Sequence, residues 1–412
     1  RIKIPALRYR QMGNILNIIN SDENYYNVDN VNYIPCLTGP FICSELRNFT
    51  INELTLDEVK DEKYIYVIEI RCNDGLKKVF DLLPQKLIDL VNDDKCSIVI
   101  DYEHEGNLDK KYLEKFQYNI QKNKEKVKLK NIFILTGNLM KLEGYGVDII
   151  PSMHFLNNMS FDAYDSKFRR NTDLGYVWKM PDINKIDIDK KSKLFLTFIR
   201  NSQKLHRKTL ASYYQYHDLW KDNNISFLKV EWDGPHGSGE IDYLPNKYQN
   251  SLLELDDLNP IEIDTKHQKD KSGFNTMFAD RSDLYLETFF SVVSETLFEQ
   301  EAIFLSEKVA KPLLNLHPFI VMSTPYTLKK LRELGFKTFG SFIDETYDEV
   351  DDNKKRVELI FKELDKIRTT PIDELKGWWK SIVPILEHNQ KHFLSLMNIK
   401  TNKVKLLEKI ND

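Results

Sequence analysis

The sequence predicts an α/β fold built as two Rossmann-like domains, and three observations predict it. Short β-branched runs alternate with helical stretches from Tyr64 onward, the pattern of βαβ units and a mainly parallel sheet. The same alternation resumes after a polar bridge ending near Lys190. The length of 412 residues exceeds the ~250–300 at which a single core stops growing, so two domains fit better than one.

Residues 1 to about 60 are rich in Asn, Tyr and Asp. Their weak periodicity reads as loops and short edge strands. YIYVIEI (64–70), SIVIDY (97–102), NIFILTG (131–137) and the weaker VDIIPS (147–152) are strands. PQKLIDLVND and LDKKYLEKFQYNIQKNK are helices between them. The bridge KIDIDKKSK is followed by the strand Leu194–Ile199, then Arg200-Asn201, and His206-Arg207 opens an amphipathic helix. A further strand, ISFLKVEW, leads into DGPHGSGE. That stretch is glycine-dense, but it lacks the Lys-Ser/Thr of a phosphate cradle and reads as a surface loop. Phe289–Val293 and Pro318–Met322 are two more short strands, flanking a helical segment that carries Ser306-Glu307-Lys308. The tail from Pro371 reads as a long amphipathic helical stretch kinked at Pro384.

Composition excludes several classes. A content of 41% hydrophobic and 30% charged residues is that of a folded globular chain. No apolar run approaches the ~18 residues of a membrane span, and RIKIPALRYR lacks the apolar centre of a signal peptide. Cys36, Cys43, Cys72 and Cys96 are too few for a disulfide framework and form no C-x-x-C zinc pair, so a reducing cytoplasm is the expected compartment. The net charge of −4 argues mildly against a nonspecific nucleic-acid binder, which is usually basic. The absence of G-x-G-x-x-G argues against a dinucleotide oxidoreductase.

Chemistry-bearing residues gather where strands end. In open α/β sheets the ligand crevice lies at the carboxyl ends of strands, and helix N-termini there attract phosphate. Glu307 and Lys308 open a helix in that setting. The carboxylate can accept from ribose hydroxyls and the ammonium can balance a diphosphate, although on composition alone both read as solvated helix residues. Arg200, at another strand-to-helix turn, offers forked donors to phosphate, and Arg207 either does the same or caps its helix. Asp101, Glu103 and Glu105 follow the strand SIVIDY and alternate along the chain. They form either a solvated acidic loop or a source of general base, with Glu105 favoured because it precedes Gly106. Thr136-Gly137-Asn138 closes another strand. Eight lysines between residues 110 and 130 (among them Lys122, Lys124, Lys126, Lys128 and Lys130) read as a solvated helix face, or as a surface steering a polyanion. His388 and His392 have metal-compatible i, i+4 spacing, but without H-E-x-x-H packing is the stronger reading.

Ser306-Glu307-Lys308, Lys311-Pro312, the buried Pro318-Phe319-Ile320, a leucine-rich helix closing in Gly335-Phe336-Lys337-Thr338-Phe339, and Asp344-Glu345-Thr346-Tyr347-Asp348 occur in that order. The order resembles the sugar-donor domain of fucosyltransferase-like and exostosin-like nucleotide-sugar glycosyltransferases of the GT-B fold. The resemblance covers roughly the second half of the chain and extends to the strand, R-N, spacer, H-R, helix arrangement at 194–207. It implies two Rossmann-like domains facing across a cleft, assigned as 1–189 on the acceptor side and 190–370 on the nucleotide-sugar side. Residues 371–412 would form a C-terminal helical segment bracing the first domain. It implies that Arg200 and Lys308 converge on one diphosphate, and that Asn201, Arg207, Tyr285, Ser294, Glu295, Ser306 and Glu307 lie near the donor. A base would come from Asp101, Glu103 or Glu105. No D-x-D metal site stands in context, so a metal-independent enzyme is expected, with the nucleotide sugar as co-substrate and no resident cofactor. The acceptor is expected to be a glycan or lipopolysaccharide. A hydroxylated DNA base is the alternative, in keeping with an Asn- and Lys-rich composition compatible with a virus acting in host cytoplasm. A non-catalytic binding protein on the same fold is the reading from another class.

Overall fold

The computed structural model describes residues 15–20, 26–28, 31–35, 50–55, 63–70, 83–103, 108, 110–123, 126–160, 180–200, 202–228, 241–263, 282–399 and 401–411. The glycine-dense loop 233–240 lies outside them, as do Glu105, Lys124 and Asn201. The chain divides into two compact units. Unit 1 comprises Arg1–His154 with Ile399–Asp412, and unit 2 comprises Phe155–Asn398. The divisions fall at 154/155 and 398/399, not at 189/190 and 370/371, so the polar bridge belongs to unit 2. There it forms two short 3-10 turns, Ile183–Lys185 and Ile188–Lys190, whose first N–H groups are capped by Asp182 and Asp187.

Unit 1 holds one sheet of Ile15–Asn20 (β1), Tyr26–Val28 (β2), Val31–Pro35 (β3), Thr50–Thr55 (β4), Tyr64–Ile70 (β5), Cys96–Tyr102 (β6), Ile132–Thr136 (β7) and Asp148–Pro151 (β8). β5 to β8 run parallel in sequence order, β1 pairs parallel with β4 and β5, and β3 joins β5 antiparallel. The region read as loops and edge strands thus contributes β1 as a parallel neighbour of β5. Period-2 alternation separates two apolar layers. Tyr64, Tyr66, Ile98, Ile100, Ile132 and Ile134 face the helices Gln85–Asn92 and Lys110–Asn123. Ile65, Val67, Val99, Phe133 and Leu135 face Leu406, Leu407 and Ile410 of the helix Asn402–Asn411. The last helix therefore packs on the first sheet.

Unit 2 holds a four-stranded parallel sheet in the order Asn224–Phe227 (β10), Lys193–Ile199 (β9), Thr288–Ser294 (β11), Phe319–Met322 (β12). The helix Leu205–Tyr216 returns along β9, where the Thr197 hydroxyl lies 2.7 Å from that of Tyr214. Pro384 does not kink one helix. It sits in the first turn of Val383–Ser395, separated by Ile382 from Ile372–Ser381, because proline's missing N–H is harmless only there. His388 and His392 donate from Nε2 to the carbonyls of Gly335 (2.9 Å) and Leu334 (2.7 Å). Their spacing serves the carboxyl end of the helix Thr327–Glu333. Gly335 there takes φ +94°, and a Cβ would meet the His392 ring at 2.8 Å.

Candidate functional site

In unit 2 the carboxyl ends of β9, β11 and β12 meet around one buried residue, Glu295. Its N–H donates to the Met322 carbonyl at the end of β12 (3.0 Å). Its carbonyl accepts from His206 Nε2 (2.9 Å) and Arg207 Nη2 (3.3 Å), at the start of the helix following β9. Its carboxylate turns toward the helix Glu307–Leu314. Oε1 accepts from the Ser306 N–H (3.1 Å), while Oε2 accepts from Ser306 Oγ (2.6 Å) and the Thr296 N–H (2.9 Å).

Ser306 is the N-cap of that helix. Its Oγ accepts from the Lys308 N–H at 3.2 Å, filling one of the donor vacancies every helix start leaves. Lys308 Nζ lies 2.7 Å from Glu307 Oε1, 3.3 Å from Ser306 Oγ and 3.4 Å from Thr296 Oγ1, with a quarter of its side chain exposed (25%). From the other turn, Lys204 Nζ donates to the Thr296 carbonyl (2.6 Å). Phe298 follows, stacked on His206 with centroids 5.5 Å apart and lying 4.3 Å from the Arg356 guanidinium. Arg356 also donates to the Phe298 carbonyl (2.7 Å), which pins the loop from behind.

The electrostatics follow from burial. Burial, with Arg207 alongside, holds the His206 imidazole well below its usual range, so it is neutral and donates through Nε2. Burial lowers Arg207 as well, opposed by Glu307 and Glu295. For Glu307 burial alone would raise the carboxyl, but Lys308 and Lys311 together with a backbone hydrogen bond outweigh it and the group sits below its ordinary value. Lys204 and Arg207 thus grip the Thr296 and Glu295 carbonyls, while Lys308 pairs with Glu307 at a capped helix N-terminus. Such a site favours an anion.

Hydrogen bonds join five of the sequence-predicted donor residues: Arg207, Glu295, Ser306, Glu307 and Lys308. Arg200 closes β9 with its side chain exposed. Ser294 is buried at the end of β11, and its Oγ has no hydrogen-bond partner among the described residues. Tyr285 lies apart from this group, for it precedes β11 at the amino-terminal end of the sheet. Its ring meets His317 edge-on at 5.3 Å and its carbonyl accepts from the buried Lys191 (2.7 Å). The whole strand Thr288–Ser294 separates it from Glu295. Sequence reasoning missed Lys204, Phe298 and Arg356, and passed over His206. The His-Arg pair opening a helix was the signal for His206. The others are tied in by contacts that local spacing does not reveal. The D-E-x-Y-D run is structural: Asp348 accepts from the N–H groups of Leu328 (2.7 Å) and Lys329 (2.8 Å), capping the helix Thr327–Glu333.

In unit 1 the candidate bases Asp101 and Glu103 are both fully buried (0% exposed). Odd-numbered residues of β6 face the helix Asn402–Asn411, and Glu103, just past the strand, meets Lys403, whose charge also acts on Asp101. Lys403 Nζ lies 2.9 Å from Glu103 Oε2, and His154 Nδ1 lies 3.4 Å from the same oxygen. Burial would raise Glu103, but Lys403 and His154 hold it far below its normal range. Burial and then the Glu103 charge push Asp101 up to about 7. Its Oδ1 accepts from the Glu103 N–H (3.1 Å). Thr136 and Asn138 are spent on a turn, with the Asn138 N–H bonded to Thr136 Oγ1 (3.1 Å) and its amide to the Leu108 carbonyl (2.9 Å). In the lysine-rich span, Lys128 and Lys130 both pair with Asp94, at 3.2 and 2.9 Å. Among the described residues no three His, Cys, Asp or Glu side chains form a metal-binding group. No described helix is long and apolar enough to cross a membrane.

No protein-family model and no curated protein matches the chain. Among solved structures it is similar to the N-terminal domain of Candida albicans trehalose-6-phosphate phosphatase, with 9% identity, TM-score 0.38, and 98% and 97% of the two chains covered. It is also similar to an α,α-trehalose 6-phosphate synthase from Burkholderia multivorans, with 10% identity, TM-score 0.36, and 97% and 96% covered. Both scores lie below the level at which a shared fold is shown.

Proposed function

We propose that the protein is a glycosyltransferase that moves a sugar from a nucleotide-sugar donor to an acceptor hydroxyl without a divalent ion, and that unit 2 binds the donor. One observation carries the reading: Lys308, partly exposed over the Ser306-capped helix N-terminus, shares the Glu295–Thr296 turn with Lys204 and Arg207. Cations and helix N–H groups fixed at one point stabilise charge that develops on a departing diphosphate. Glu307 would then accept from the ribose or sugar hydroxyls once Lys308 turns to phosphate. Glu103 is tied to Lys403, so a base for the acceptor falls to Asp101 or Glu105. A glycan or lipopolysaccharide is the acceptor class proposed.

A second reading, a binding protein that holds a sugar nucleotide without turnover, is favoured by one observation: Asp101 and Glu103 are both sealed from solvent.

A thermal-shift panel of UDP-, GDP-, CMP- and dTDP-sugars tests the site. One nucleotide class should raise the melting temperature, since ligand at 100 times Kd adds about 2.7 kcal/mol to the native state. Lys308→Ala should abolish the shift. No response to any donor overturns the proposal, and binding without sugar release or transfer selects the second reading.

A further inference from the structure

Glu295 carries more hydrogen bonds than any ligand could leave it free to trade. Its backbone N–H, its carbonyl and both carboxylate oxygens are engaged, and the residue is 0% exposed. A buried carboxylate costs several kcal/mol in desolvation, so its presence here calls for a reason that a neutral residue could not supply. The three groups that face it supply that reason. The Ser306 N–H, the Thr296 N–H and the Ser306 hydroxyl are all presented as donors, and only an acceptor without a hydrogen of its own satisfies all three.

The consequence reaches Lys308 through the serine. A hydroxyl has one hydrogen and two lone pairs. Because the Ser306 hydrogen goes to Glu295 at 2.6 Å, both lone pairs remain for the Lys308 N–H at 3.2 Å and Lys308 Nζ at 3.3 Å. We infer that Glu295 is a positioning residue: it fixes the polarity of the Ser306 hydroxyl and thereby holds the Lys308 ammonium over the helix N-terminus, ready for a diphosphate. Its carbonyl, gripped by His206 and Arg207, ties that geometry to the turn after β9. The inference rests on the anion-binding reading above and assigns Glu295 a part that involves no contact with the ligand.

Glu295→Gln is the discriminating change. In either orientation the new amide NH2 meets a backbone donor, Ser306 N–H on one side or Thr296 N–H on the other. Calorimetric titration with inorganic pyrophosphate, run well below the variant's own melting temperature, should show at least a tenfold weaker Kd for E295Q. Because Glu295 acts through Lys308, the double variant E295Q/K308A should bind no more weakly than K308A alone, whereas independent sites would add. Ser306→Ala should give the same loss and the same non-additivity, and it decides the matter if E295Q does not fold. Additive losses, or an unchanged Kd in E295Q and S306A, overturn the inference alone. Failure of the unmodified protein to bind pyrophosphate overturns the site reading and the inference with it.

Discussion

Each unit buries carboxylates just past the carboxyl end of a central parallel strand, yet the two neighbourhoods are built to opposite ends. In unit 1 Glu103 is neutralised by Lys403, a residue 300 positions later, and both side chains are 0% exposed. In unit 2 Glu295 is satisfied by two backbone N–H groups and a hydroxyl, all from within 11 residues. The nearby Lys308 keeps a quarter of its side chain in solvent. A carboxylate at the right end of a strand therefore does not by itself mark a working site. What differs is the partner: Glu103 takes up a fully buried ammonium, whereas Glu295 is met by neutral donors and leaves the part-exposed Lys308 to pair with Glu307 at 2.7 Å.

The largest effect that would break this contrast is expected from Lys403→Met. It strands Glu103 without its ammonium and should cost about 3–5 kcal/mol, read as a lower urea midpoint in the amide exchange of β5 to β7. E103Q/K403M should recover most of that loss, because a buried pair replaced on both sides is often close to neutral. A K403M protein with unchanged exchange would show that unit 1 is not sealed as described.

Asp101 sharpens the contrast through pH. An unfolded aspartate titrates near ~3.9, whereas the native one is held up to about 7. The native state therefore keeps the extra proton between those values. The stability this gives is fully present below about 4 and is lost as pH rises through about 7. Asp101→Asn should melt higher than the unmodified protein at pH 8, by a margin that shrinks at pH 5 and closes toward pH 4. A gap of the same size at both would remove the titration from the account.

The smallest effect belongs to unit 2. Ser306→Ala should cost about 1 kcal/mol as a lost N-cap, and should leave the exchange of β5 to β7 unchanged. Loss of protection in unit 1 as well would mean that the two neighbourhoods are not independent.

The legible part of the molecule was its apolar grammar. YIYVIEI is the strand Tyr64–Ile70, SIVIDY lies within Cys96–Tyr102, and Phe289–Val293 lies within Thr288–Ser294, because buried strands write themselves as contiguous β-branched and aromatic runs. Ser306-Glu307-Lys308 was legible as a helix start, since the capping serine and the first-turn glutamate are local signals. β1 was not, because ILNIIN is short and sits among asparagines that read as turns. Nor was the pairing of Glu103, whose partner lies 300 residues away, or the distance of Tyr285 from Glu295, which follows from which end of β11 each adjoins. Local propensity says where a strand is, but long-range pairing says which of its neighbours meet.

The closure of unit 1 by residues 402–411 also sets an order of events during synthesis. Unit 2 is one uninterrupted stretch, 155–398, and every residue of it has been translated before Lys403 exists. At ~5–20 residues per second, domains generally fold as units while the ribosome is still adding chain. The nascent first sheet must therefore wait, with Val67, Val99 and Phe133 uncovered and Glu103 lacking its counter-charge, until its far-downstream helix arrives. Chaperone demand should concentrate in that interval, on the unit begun before unit 2 and closed after it.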